Sequence, residues 1–225
     1  MIICENCTNF RDMEEAKEMI RVAKECGASL SKFQLFDAAD DKEKPYYEWV
    51  KAHQLTFDQA KMLFDYGKEI GMEVFFSVFK PRFVEWCEKI GVKRYKVACS
   101  QKDNGSLIIV IQGTYKPVII SSNDGRCFWA DQQRELPLML YCTLEYPASL
   151  SFMPNFMEDS YYKGFSDHTV GLDASKIALA RGALIIEKHF VLKHDSCYPD
   201  DAWSMTPDEL KELVRWEKVC KEVLR

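Results

Sequence analysis

The sequence of 225 residues predicts a single eight-stranded parallel β/α barrel, and three features carry that prediction. An amphipathic helical stretch, a glycine and a short β-rich apolar run recur along the chain. Eight such apolar runs can be counted. The polar residues able to do chemistry gather at the C-terminal ends of those runs.

The repeating unit sets the class. Gly27, Gly71, Gly91, Gly113 and Gly182 each close a helical stretch and precede a β-rich run. Glycine just past a helix accepts the left-handed capping conformation, so each predicts a helix stop. Helices alternating with short apolar strands imply right-handed βαβ units and a parallel sheet.

The elements follow in order. Strands are predicted at 2–4, 30–33, 74–77, 95–98, 118–121, 138–141, 163–165 and 184–187. Met13, Ala16, Met19, Ile20, Ala23 and Cys26 form one apolar face at helical spacing after the first strand. Thr56 with Gln59, and Thr206 with Glu209 behind Pro207, predict capping boxes for further helices. The last helix is expected to bury Leu210, Leu213, Val214, Val219, Val223 and Leu224. Segment 122–137 is short and polar, and 148–160 has little helical pattern. An open doubly wound sheet is the structural alternative, but no Gly-x-Gly-x-x-Gly follows the first strand. No linker divides the chain, so 1–225 is expected to be one domain.

Composition narrows the function. Hydrophobic residues at 47% can fill a core, and a net charge of -5 argues against a nucleic-acid partner, which needs clustered Lys and Arg. No run approaches the roughly eighteen apolar residues of a membrane helix, and no signal peptide opens the chain. A cytoplasmic protein with no membrane partner is expected. The nine cysteines are scattered, and several lie in apolar runs where a reduced thiol acts as a small hydrophobe. Cys4-Glu5-Asn6-Cys7 has metal-like spacing but no second cysteine pair, which favours a structural role.

In a β/α barrel the chemistry sits where strands run into the following loops. Those ends hold Glu5, Lys32, Gln34, Ser77, Lys96, Cys99, Ser121, Glu145, Asp167, His168, Glu187, Lys188 and His189. His168 and His189 fall at neighbouring strands about 4.8 Å apart, so both imidazoles can reach one divalent ion. Asp167 and Glu187 beside them would steady the rings. Imidazole and oxygen donors suit manganese, magnesium, iron or zinc. His53 and His194 lack such a setting and are expected at the surface. Lys32 and Lys96 either project into solvent or turn inward as point charges for a phosphate or carboxylate. Their spacing is compatible with both.

Gly164-Phe165-Ser166-Asp167-His168-Thr169-Val170-Gly171 and Gly182-Ala183-Leu184-Ile185-Ile186-Glu187-Lys188-His189-Phe190 closely resemble the sialic acid synthase family. So do Gly27-Ala28-Ser29-Leu30-Ser31-Lys32-Phe33-Gln34 and the tail from Tyr198-Pro199-Asp200-Asp201 to Leu210. The resemblance implies a barrel that condenses phosphoenolpyruvate with an N-acyl sugar aldehyde, such as N-acetylmannosamine, and releases phosphate. It implies a divalent metal, manganese first, on His168 and His189, and active-site carboxylates at Glu5 and Glu187. Lys32 and Lys96 match the family's lysines for the phosphoenolpyruvate anion, with Ser166 as a further contact. Gln34, Cys99, Gln101, Ser121 and Asp167 complete the expected substrate group.

The departures are specific. Phe10 stands where the family has histidine, and Cys99-Ser100-Gln101 replaces its Ser-Gly-Glu or Ser-Gly-Asp. The tail's Asp-His is Asp200-Asp201, and the family's asparagine has no clear match near Met153-Pro154-Asn155. The family's antifreeze-protein-like C-terminal domain has no counterpart before Arg225. A homodimer and a separately encoded cap-domain protein are the expected protein partners. Alongside the synthase stand two alternatives, a related synthase or aldolase for another aldehyde and a non-catalytic barrel subunit.

Overall fold

The computed structural model describes residues 1–43, 45–130, 135–150, 153–154, 156, 158 and 161–224. Asn155 lies outside them.

Eight parallel strands close on themselves in sequence order. They are β1 (Ile2–Glu5), β2 (Leu30–Leu35), β3 (Val74–Val78), β4 (Tyr95–Val97), β5 (Val118–Ser122), β6 (Leu138–Cys142), β7 (Tyr162–Asp167) and β8 (Ile185–His189), and β8 pairs back onto β1. Helices α1 (Met13–Glu25), α2 (Tyr47–His53), α3 (Phe57–Ile70), α4 (Pro81–Ile90), α5 (Gly105–Gly113) and α6 (Asp173–Ala180) lie in the connections, and α7 (Pro207–Val223) follows β8. Among the described residues no helix lies between β5 and β6, where the sequence is short and polar, or between β6 and β7, where it carries little helical pattern. No helix is long and apolar enough to cross a membrane among the described residues.

Local chemistry explains the helix ends. Thr56 and Thr206 both form reciprocal capping boxes, with Gln59 and Glu209. Gly27, Gly71, Gly91 and Gly182 take left-handed φ values of 91°, 76°, 91° and 88°. Gly113 does not: it is the last residue of α5, and Tyr115 takes the positive φ of 59° two residues later.

Two apolar layers sandwich the strands. Ile3, Leu30, Phe75, Ile119, Leu140 and Ile185 plug the barrel interior, and a larger cluster fills the space between strands and helices. Gly164 belongs to the interior layer, and a Cβ there would lie 2.1 Å from the Ile185 carbonyl oxygen. That approach excludes every residue but glycine.

The last helix corrects the expected stripe. α7 buries Leu210, Leu213, Val214, Glu217 and Cys220, whereas Val219, Val223 and Leu224 are exposed. Successive residues step about 100° around a helix, and 217 and 220 continue the 210–213–214 stripe while 219 and 223 do not. Glu217 tolerates that place by pairing with the Met1 amino group. His53 is half-buried rather than on the surface, stacked on Trp49 at 4.0 Å with its ring edge toward Phe10.

Candidate active site

Each strand lifts one side chain above the apolar plug. In barrel order they are Glu5, Lys32, Ser77, Lys96, Ser121, Cys142, Ser166 and Glu187, and all eight line one cavity of about 740 Å³. Such a volume suits small substrates. Two residues further along their strands, Gln34, His168 and His189 form the next tier of the same wall.

The lysines turn inward. Lys32 is 2% exposed and Lys96 is 1% exposed. Lys32 Nζ pairs with Glu5, donates to Ser77 Oγ at 2.8 Å and lies 3.3 Å from Glu187 Oε2. Lys96 Nζ donates to Ser121 Oγ at 2.7 Å and to the Val97 carbonyl at 2.9 Å, with Glu187 Oε1 at 3.6 Å. Ser166 Oγ donates to Glu187 Oε1 at 3.0 Å, and Gln34 Nε2 donates to Glu5 Oε2 at 3.1 Å. Two ammonium groups, two carboxylates and three hydroxyls therefore share one buried floor.

These neighbours set the charges. Burial alone would lower the Lys32 pKa, but Glu187 and Glu5 outweigh it and raise the value. At Lys96 burial prevails over Glu187, and the pKa falls. Burial would raise Glu187, yet Lys32 and Lys96 bring it down to about 2.

The histidines face each other across the rim. Their ring centroids are 5.6 Å apart, and both rings are buried. Burial and the neighbouring His189 bring His168 down to about 3, so its imidazole is neutral at pH 7. Neither Nδ1 has a hydrogen-bond partner. Asp200 Oδ2 approaches His189 Nδ1 to 3.3 Å, an ion-pair distance without hydrogen-bond alignment. Burial disfavours His189 charge, but Asp200 outweighs it and raises that pKa. Tyr146 packs on His168 at 4.2 Å between centroids, and Trp203 sits edge-on to His189 at 6.2 Å.

Cys99 and Gln101 lie on the cavity wall in a 3-10 turn after β4. Gln101 Oε1 accepts from Asn104 Nδ2 at 2.9 Å, and Cys99 Sγ donates to Asn123 Oδ1 at 3.5 Å. A hydrogen bond from Cys142 brings the Cys99 thiol down to about 7 and pushes Cys142 up.

Asp167 does not belong to the substrate group. Neighbouring strand residues face opposite sides, so with Ser166 and His168 inward, Asp167 points out of the barrel. There it is fully buried, pairs with Lys188 at 3.1 Å, and accepts from Thr169 N, Thr169 Oγ1 and Ser175 Oγ. It holds the turn after β7, not a ligand. Glu145 is exposed and away from the cavity wall.

Among the wall residues that sequence reasoning left out of the site are Cys7, which it read as structural, Tyr146 and Asp200. Ser77, read from sequence as a polar strand end, sits two past the interior Phe75 and does face the cavity. Cys7 follows two residues after Glu5. Asp200 lies eleven positions beyond His189 by numbering, and only the folded loop returns it to the site.

A model of the NeuB family matches residues 19–224 of the chain. The chain is 31% identical to an uncharacterised protein of Methanocaldococcus jannaschii, over 99% of this chain and 71% of that protein. It is 28% identical to the N,N'-diacetyllegionaminic acid synthase of Legionella pneumophila, over 99% of this chain and 72% of that enzyme. The fold is that of the N-acetylneuraminic acid (sialic acid) synthetase from Leptospira borgpetersenii, with a TM-score of 0.88 at 23% identity, covering 99% of this chain and 84% of that one.

Proposed function

The chain belongs to the NeuB family, and from that premise we propose that it condenses phosphoenolpyruvate with an N-acyl sugar aldehyde resembling N-acetylmannosamine. The product is a sialic-acid-like 2-keto acid, and phosphate is released. The observation that carries this reading is the inward pairing of Lys32 and Lys96 beneath His168 and His189 in one cavity.

Lys32 and Lys96 would hold the phosphoenolpyruvate anion, with Ser77, Ser121 and Ser166 donating to its oxygens. The lysines sit in a low-dielectric floor where a fixed cation attracts an anion more strongly than in water. Carbon 3 of the bound enol phosphate attacks the aldehyde carbon, whose oxygen takes up a proton; water adds at carbon 2 and loses a proton, and the carbon–oxygen bond to phosphate breaks to leave the 2-keto group. Glu5 and Glu187 would be the carboxylates that serve the water, Glu5 as the acceptor of the proton it sheds. Glu187 is held between both lysines and Ser166, which keeps it ionised and suits it to orienting the water more than to taking its proton.

A divalent metal fits the site. Two buried imidazoles face the same space, and the Nδ1 atom of the neutral His168 carries no hydrogen bond. His168 and His189 would hold the ion, which when bound supplies Lewis-acid polarisation of the aldehyde oxygen.

A second reading keeps the phosphoenolpyruvate floor and changes the aldehyde. Gln101 puts an amide, already bonded to Asn104, where the family resemblance implies a carboxylate. The test is phosphate release from phosphoenolpyruvate with manganese and a panel of aldehydes, products read by mass spectrometry. Release with N-acetylmannosamine, lost in His168→Ala, is expected. Release only with another aldehyde supports the second reading, and no release with any aldehyde refutes both.

A further inference from the structure

We propose that Cys7 and Asp200 are metal ligands, so that the ion held at His168 and His189 is bound through a thiolate and a carboxylate as well. This rests on the metal reading above and sharpens it: the donor set is one for zinc, iron(II) or cobalt(II), in preference to manganese or magnesium.

The geometry comes first. One donor atom each from Cys7, His189 and Asp200 lies within 4.8 Å of the other two. Ligands bound at roughly 2.0–2.3 Å around a tetrahedral ion stand about 3.3–3.8 Å apart, so the three side chains would draw together by no more than about 1–1.5 Å to close the set. The three residues come from separate places in the chain: the loop after β1, the end of β8 and the loop that follows it. His168 is outside that group of three, and its ring lies 5.6 Å from that of His189, the member it would join through.

Two further observations point to a ligand. The Nδ1 atom of His168 is buried and carries no hydrogen bond, which is costly unless something else coordinates it, and His189 Nδ1 has only Asp200 Oδ2 at 3.3 Å. Cys7 also has a φ of 44°, in the left-handed region that residues with a Cβ seldom adopt. Its amide is pinned there by Glu5 Oε1 at 2.8 Å. The strained turn places the Cys7 side chain on the wall of the cavity, beside Asp200.

Donor chemistry then selects the ion. Thiolate and imidazole ligands suit zinc, iron and cobalt, whereas magnesium and manganese favour oxygen donors. Three or four protein ligands leave one position open for a substrate oxygen, the pattern of catalytic sites.

The test is cobalt titration of metal-stripped protein, followed by absorption spectroscopy and by zinc competition against a chromophoric chelator. Wild-type protein should develop a thiolate-to-cobalt charge-transfer band. Cys7→Ser should lose that band and weaken zinc binding by at least about ten-fold, with manganese affinity little changed, while Cys99→Ser keeps the band. Asp200→Asn should weaken zinc but keep the band. Should Cys7→Ser fold poorly, alkylation of wild-type protein decides: zinc should shield Cys7 from iodoacetamide, mapped by mass spectrometry, and manganese should not. Cobalt bound without the band, yet lost in His168→Ala, overturns this proposal and leaves the two-histidine site standing. Failure of wild-type protein to bind cobalt, zinc or manganese overturns both.

Discussion

Replacing Lys188 by Met should destabilise the barrel without weakening substrate binding. Lys188 is 1% exposed, pairs with the fully buried Asp167 at 3.1 Å and donates to the Thr169 carbonyl at 2.7 Å. Methionine preserves most of the volume and removes the charge, which leaves Asp167 buried without its cation. Breaking one partner of such a pair costs about 3–5 kcal/mol. Asp167 keeps its bonds from Thr169 and Ser175, so the lower end, about 3 kcal/mol, is expected. For a chain of this size that corresponds to a melting temperature lower by roughly 6–12 °C. The assay is thermal and urea unfolding followed by circular dichroism, with the phosphoenolpyruvate KM measured in parallel. Asp167→Asn combined with Lys188→Met should recover part of the loss, because neither charge is then stranded. Unchanged stability with a raised KM would refute the reasoning and return Asp167 to the substrate group.

Three other outcomes follow from the same geometry. Lys96→Met removes a charged donor from the cavity floor, so kcat/KM for phosphoenolpyruvate should fall roughly 10- to 150-fold, as for a lost charged hydrogen bond, in steady-state phosphate-release kinetics. Gly164→Ala forces a Cβ to 2.1 Å from the Ile185 oxygen, and soluble yield and unfolding should register a loss of at least about 3 kcal/mol. Cys99 should be the most readily alkylated cavity thiol: its thiolate forms as pH rises through about 7, so labelling by iodoacetamide, mapped by mass spectrometry, should climb between pH 6 and 8 while Cys142 stays unlabelled. Equal labelling of the two cysteines would refute that assignment.

Much of this molecule was legible in sequence because its signals are local. A glycine cap, a capping box and an apolar run each act within a few residues, so four of five glycine stops and both capping boxes appear where their residue types demand. Gly113 escaped because Thr114 and Tyr115 continue the turn in its place. The β/α alternation and the count of eight strands follow from those local signals, and with them the position of both histidines at adjacent strand ends. Alternation also says that Asp167 and His168 cannot face the same side, so the misplacement of Asp167 was avoidable from sequence.

What only tertiary structure decided is which side is inside. A strand pattern fixes that neighbours oppose each other, but closure of the barrel chooses the face. That choice turned Lys32 and Lys96 inward to Glu5 and Glu187 and sent Lys188 outward to Asp167, although all three lysines sit in similar runs. Closure likewise brought Cys7 and Asp200 to His189 from loops at the two ends of the chain. The period of a pattern is a property of the chain, whereas the origin of that period and every long-range meeting depend on how the sheet closes.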